Sequence, residues 1–464
     1  MLPALMFAGG CNLAPQPAQR ILESQMIPEQ YSSVSNQLKT LSLPNQWWEI
    51  FKSPELDKLV ETAFTNNLDM AVAAARLRQA HEQVIISGAA GSFQLSGSGG
   101  ASLEKSGNTR GDISVENTRE SYSTGLTAAY EVDIWGRISS SERASELVYE
   151  ATEQQLNATA LTISGSIARS WLQLKSVMQE MMLVRGQITT SRKALELLKV
   201  RQRAALSAAV DVYQQESQVA ALERLLPPLE EQHDDLNHQL KFLLGIPASC
   251  ALPVDLKCEP LPVVKELPEC GMPADLIVNR PDIQAAWLNL KAQEWTVVSR
   301  KAERLPALTL SGTLSFEDQE ISDVLKNWYV NLAAGLIGPV LDGGRRAAQV
   351  RLAEAQSDEN FVYYTESVLQ AMREVEQALS RDRNRRNYLN AINNEILYNQ
   401  KTLEESFNRY RKGLMEYLNV LTALAAKQGA ERRQHSANTQ LILNRIDLYQ
   451  ALAGRLVLGG TKHE

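Results

Sequence analysis

Much of this 464-residue chain is written twice. Tyr130-Glu-Val-Asp-Ile-Trp-Gly-Arg137 opens a very long helical stretch, and Gly338-Pro-Val-Leu-Asp-Gly-Gly-Arg345 opens another 208 positions later. The same offset carries Ala205-Leu206 onto Gly413-Leu414, and Val210-Asp-Val212 onto Leu418-Asn-Val420. Upstream, Asn67 to Met70 matches Arg280 to Ile283, and Leu95 to Gly99 matches Leu308 to Gly312, at an offset of 213. A repeat of this length is a whole structural half and not a solenoid unit. The five-residue slip falls at roughly 104 to 121 in one copy and 316 to 326 in the other. It reads as an insertion in an exposed loop, where insertions collect. Each copy should run helix, strand, loop, strand, long helix, turn, long helix.

The expected layout follows. A signal and lipoprotein-processing segment covers 1–11, a first repeat 12–245 and a connection 246–272; a second repeat covers 273–454 and a tail 455–464. The strand pairs are expected at about 93–134 and 307–341, and the long helix pairs at about 137–245 and 343–454. The duplication argues for one body whose halves share a core.

Between the helices the patterning has period two. From Tyr122 to Ile134 one face reads Tyr122, Thr124, Leu126, Ala128, Tyr130, Val132 and Ile134, while the other carries Glu131 and Asp133 among small polar residues. Phe93, Leu95, Ala101 and Leu103 alternate likewise, as do Leu308, Leu310, Leu314 and Phe316, and then Trp328, Val330, Leu332, Leu336 and Val340. Such strands suit a soluble sandwich or a tilted membrane barrel. Four strands cannot close alone, since a barrel takes about eight before its interior even fills. A bilayer tolerates no open edge, so several copies must share one barrel; three copies of four strands make twelve.

The helices are too long for a globule. Apolar residues step by seven along Leu156, Ile163, Ser170, Val177 and Val184, and along Ala160, Ile167, Leu174, Met181, Ile188 and Leu195. That spacing is the left-handed coiled-coil signature. Leu389, Ile396, Leu403 and Tyr410 keep the step in the second copy, and Leu222, Leu229, Leu236 and Leu243 in the return helix. Pro227-Pro228 interrupts that return helix without changing its phase, which predicts a local kink.

Other classes lose ground. A net charge of −7 gives no basic footprint for nucleic acid. There is no run of eighteen apolar residues for a transmembrane helix. The histidines at 81, 233, 238, 435 and 463 form no metal-ligand spacing, and no phosphate-cradling Gly-rich loop with its Lys is present. No cofactor and no catalytic residue is expected. Cys250, Cys258 and Cys270 lie in the Pro-rich connection, where one disulfide with a spare thiol and three unpaired side chains fit equally well.

Several segments, in order, resemble the outer membrane factor family, the channel component of bacterial tripartite efflux systems. They are Gln46 to Leu56, Ala75 to Ala80, Tyr130 to Arg137, Asn279 to Ile283, Leu341 to Arg345 with Arg351 to Ala355, and Arg409 to Leu414. The resemblance implies a homotrimer whose twelve-stranded β-barrel sits in outer-membrane lipid and continues into a periplasmic α-helical coiled-coil barrel. A periplasmic adaptor would dock at the helix turns, through Ala205, Leu206, Val210 and Asp211 in one and Gly413, Leu414, Leu418 and Val420 in the other. An inner-membrane transporter would feed the duct through that adaptor, with drugs, metal ions or a polypeptide as cargo.

Some members close the tip with carboxylates. The matching positions here hold Tyr410, Met415, Asn419 and Thr422, which implies closure by neutral hydrogen bonds and apolar contact, with weak salt dependence. Ala8-Gly-Gly-Cys11 resembles a lipoprotein processing site, making Cys11 the expected lipidated (palmitate-bearing) residue. Glu131 and Asp133 are expected to face the lumen. The competing readings are a peripheral coiled-coil scaffold and a periplasmic adaptor; two copies of strand pair plus helix pair argue against the latter.

Overall fold

The repeat seen in the sequence returns as repeated elements. The structure, a computed structural model, describes residues 46–110, 113–263 and 272–452, together with 28, 31 and 267. It divides into two compact units. One takes the described residues of Ala75–Glu153 and Ala285–Glu366; the other takes those of Glu23–Ala74, Gln154–Gln284 and Ser367–Glu464.

The first unit carries the sheet. Strands β1 (Gln94–Arg110), β2 (Ile113–Val132), β3 (Ala307–Asp318) and β4 (Trp328–Ile337) pair antiparallel in chain order. Register puts Leu95 opposite Ala128, Leu126 opposite Leu314, and Leu314 opposite Val330. One face therefore collects Leu95, Leu126, Tyr130, Leu310, Leu332 and Leu336, all at least partly open in the single chain. Phe93 stacks on Tyr130 with centroids 5.3 Å apart, and eight residues along β2 Tyr122 lies near the level of Phe316 and Trp328. These aromatic groups flank the apolar band at both ends, as membrane girdles do.

The extra length in the first copy is not a loop. It lengthens the first hairpin, whose pairing runs on to Arg110 opposite Ile113, whereas β3 and β4 stop at Phe316 opposite Trp328. β4 also ends at Ile337, short of Val340.

The helices match the expected rods. Helices α3 (Arg137–Arg203) and α8 (Arg345–Arg411) are each 67 residues long. At a rise of about 1.5 Å per residue each spans on the order of 100 Å. Helix α9 (Tyr417–Leu452) is continuous, but its counterpart is broken into α4 (Ala209–Glu223) and α5 (Leu226–Leu243). Arg224 and Leu225 keep right-handed helical dihedrals, so the break is a kink and not a reversal. Its place follows from Pro227 and Pro228, whose rings clash with the carbonyls four residues back, at Glu223 and Arg224. The remaining helices are α1 (Pro54–Asn66), α2 (Leu68–Ala89), α6 (Pro273–Asn279) and α7 (Pro281–Ala302).

The second unit's core gathers Trp47, Trp171 and Tyr449 around Phe51 in edge-to-face contacts, with Trp47 donating to Ser164 at 3.1 Å. Ile163, Ile167, Leu174, Val177, Val184 and Ile188 are buried along α3, which is the predicted heptad stripe. In contrast Leu389, Ile396, Leu403 and Tyr410 on α8 are only half-buried. Two buried arginines are paired: Arg445 meets Asp382 at 2.7 Å, and Arg280 holds Asp282 at 2.7 Å and Glu374 at 2.9 Å.

Candidate functional site

The two turns between long helices close with the same pair of backbone hydrogen bonds. Leu206 N–H donates to Arg201 C=O at 2.9 Å and Ala205 N–H to Gln202 at 2.9 Å. In the second copy Leu414 donates to Arg409 at 3.0 Å and Gly413 to Tyr410 at 3.0 Å. This is the Schellman arrangement, which needs a left-handed residue after the helix. Gly413 supplies it with φ 71°, and Ala205 supplies it with φ 58° despite its Cβ. Asp211 then accepts from Ser207 Oγ at 2.8 Å and from Ala208 N–H at 3.3 Å, which starts α4. Asn419, at the matching place, is exposed.

Leu206, Val210, Leu414 and Leu418 present apolar side chains to solvent, joined by Tyr213, which the sequence reading did not single out. Val420 departs from that group. It is buried with its duplicate Val212, beside Leu195, Leu198, Val219 and Leu421, so it packs the turn from beneath and offers no contact surface.

Of the expected gate residues, Tyr410 closes the last turn of α8. Its ring lies 5.4 Å from Tyr417 in an edge contact and 5.2 Å from the Arg201 guanidinium, and its hydroxyl has no partner among the described residues. Met415 lies half-buried in the bend of the turn, and Asn419 and Thr422 are exposed on α9. None of the four side chains is acidic.

Beneath the turns lies a buried polar network with no precedent in the sequence reading. Tyr417 donates to Gln215 Oε1 at 2.8 Å, and Gln215 Nε2 donates to Ser191 C=O at 2.8 Å. Gln218 donates to Gln428 at 3.3 Å, Gln428 to Ser191 Oγ at 3.3 Å, and Gln187 to Gln428 C=O at 3.2 Å. Burial, with the nearby Tyr410 and Asp211, pushes the Tyr417 phenol up to about 12. The only visible signal was the replacement of alanine by tyrosine or glutamine between duplicates.

At the other end of α3, Glu131 and Asp133 are engaged. Arg137 donates to both Glu131 oxygens, at 3.0 and 2.8 Å. Asp133 lies beyond β2 and caps α3, accepting from Ile138 N–H at 3.1 Å and Ser139 N–H at 2.8 Å. The capping is why the strand stops at Val132 and not at Ile134. Cys250 and Cys258 are free and exposed. Cys11 and Cys270 lie outside the described residues.

The sequence profile described as outer membrane efflux protein matches the chain twice, at 59–246 and 272–454, which are the two repeats. The chain belongs to that family. The pyoverdine export outer membrane protein OpmQ of Pseudomonas putida is 32% identical over 90% of this chain and 89% of its own. The cation efflux system protein CusC of Escherichia coli is 27% identical over 96% of both. Among solved structures, the outer-membrane channel OprN superposes with a TM-score of 0.88 at 25% identity, covering 96% of this chain and 100% of its own. This protein is thus an outer membrane efflux channel, mainly α, with a four-stranded β part and a duplicated plan.

Proposed function

We propose that the channel works as a homotrimer in which three four-stranded sheets close one twelve-stranded barrel, and that it is the passive exit duct of a tripartite pump. One observation carries this. The sheet has an apolar face between aromatic girdles, yet among the described residues β1 and β4 each keep an unpaired edge, which a bilayer does not tolerate. Pairing β4 of one copy with β1 of the next removes every edge. The half-buried heptad row of α8 supports the same reading, since neighbouring helices would finish its burial.

At the turns between long helices, Leu206, Val210, Leu414 and Leu418 offer a small apolar surface, suited to a periplasmic adaptor's helical hairpin. An inner-membrane transporter supplies the energy through that adaptor. Tyr410, Met415, Asn419 and Thr422 close the lumen at rest, and a lipid on Cys11 anchors the chain. The wall selects little, so the transporter sets the cargo.

The test is extraction. Membranes washed with alkaline carbonate retain the protein, and in detergent it runs as a trimer that dissociates on heating. Release by carbonate as a monomer would overturn the proposal.

A further inference from the structure

The apolar face of the sheet is not filled evenly. Nearest the helices, Phe93, Tyr130, Leu310 and Ala334 stand side by side across the four strands. The next level holds Leu95, Ala128, Gly312 and Leu332, and the one beyond it Gly97, Leu126, Leu314 and Val330. In the middle of the second level β2 offers only a methyl group and β3 only a hydrogen, between larger residues above and below. Ala334, diagonal to Gly312, carries the low floor onto β4.

The result is a cavity of about 410 Å³, with Ala128, Gly312 and Ala334 as its floor and Phe93, Leu310 and Leu332 as its walls. It crosses three strands, two spacings of about 4.8 Å, so it is roughly 10 Å long. A Cβ on Gly312 would lie 3.1 Å from Leu332 Cδ2, so the leucine leans over the glycine and a side chain there would displace it. Phe93 and Leu332 are exposed in the single chain.

Two observations decide what fills the groove. Its floor lies on the faces of β2, β3 and β4, so pairing β4 with β1 of the next copy leaves it open. It also belongs to the apolar band between the aromatic girdles, which is the membrane face. In a bilayer the surrounding tails are as apolar as the walls, so packing and shape select the occupant and exclusion of water does not. Left empty, the groove forfeits the dispersion contacts of its lining. Phe93 follows the end of α2 at Ala89, and Tyr130 precedes the start of α3 at Arg137, so the groove sits at the periplasmic end of the sheet.

We propose that this groove is a binding site for one acyl chain of a phospholipid from the periplasmic leaflet, one site per copy of the chain. The inference rests on the barrel reading.

The test is native mass spectrometry of the detergent-purified protein after exchange into mixed micelles containing palmitoyl-oleoyl phosphatidylethanolamine. Wild type should retain one phospholipid per chain as the detergent is stripped. Ala128→Leu and Ala334→Leu each build a side chain up from the floor and should lose it. Both substitutions add apolar surface, so lipid retained through general hydrophobicity would rise instead. Equal or greater retention in both variants, or none in wild type, overturns the site. Retention that increases in Cys11→Ser assigns the groove to an acyl group carried by the chain itself and overturns the phospholipid occupant. Release from membranes by carbonate as a monomer overturns the barrel reading instead. Should Ala128→Leu fail to assemble, Ala334→Leu decides alone, since Ala334 is exposed on the end strand.

Discussion

Ala205 and Gly413 occupy the same left-handed position in duplicate turns, and only one of them is suited to it. The left-handed region costs a residue with a Cβ roughly 1–2 kcal/mol, while glycine gives back about 0.5–1 kcal/mol in backbone entropy. Ala205→Gly should therefore stabilise, and Gly413→Ala destabilise, each by up to about 1.5 kcal/mol, both read by thermal melting. Tyr417 gives a pH test. Its folded pKa lies above the ordinary phenol value, so the stability it contributes is intact below pH 10 and is lost as pH rises toward about 12. Alkaline titration should show wild type losing stability in that window and Tyr417→Phe losing less.

Among the elements, α8 and α9 are joined by a charge pair that neither helix could keep buried alone. Arg445 is 1% exposed and Asp382 is fully buried, with Arg386 adding a second contact at 2.9 Å. Removing one partner of a buried pair typically costs 3–5 kcal/mol, about what Asp382→Ala should lose. Joint replacement of Asp382 and Arg445 by Leu and Met should cost far less, because no charge is stranded; denaturant midpoints distinguish the two outcomes. The kink between α4 and α5 was readable from Pro227-Pro228, since a ring without an N–H acts through its own backbone. The paired extension of β1 and β2 was not readable, because the polar stretch 104–121 lacks the alternation that marks a half-buried strand. A hairpin whose two faces are both wet has no hydrophobic period to show.

For the whole molecule, the gate chemistry predicts a mild response to salt. Tyr410, Met415, Asn419 and Thr422 carry no charge, and the Arg201 guanidinium beside Tyr410 lies over its ring. Screening has little to act on. Resting conductance should follow bulk KCl conductivity, and a steep excess rise with ionic strength would count against a neutral gate. The exposed apolar face of the sheet and the open row on α8 belong to this scale too, since they make sense only in an assembly.

Periodicity and duplication were enough to anticipate the strand count, the helix lengths and the turn positions, because each depends on local order along the chain, whereas the family came from the resemblance of ordered segments. Which polar side chains face one another depends on residues two hundred positions apart meeting across packed helices. Gln215 and Tyr417 look like solvated helix residues until the fold buries both, and Val420 looks like its exposed neighbours until the helix phase turns it inward. Burial and partner are properties of the packed structure, so only the tertiary fold could assign them.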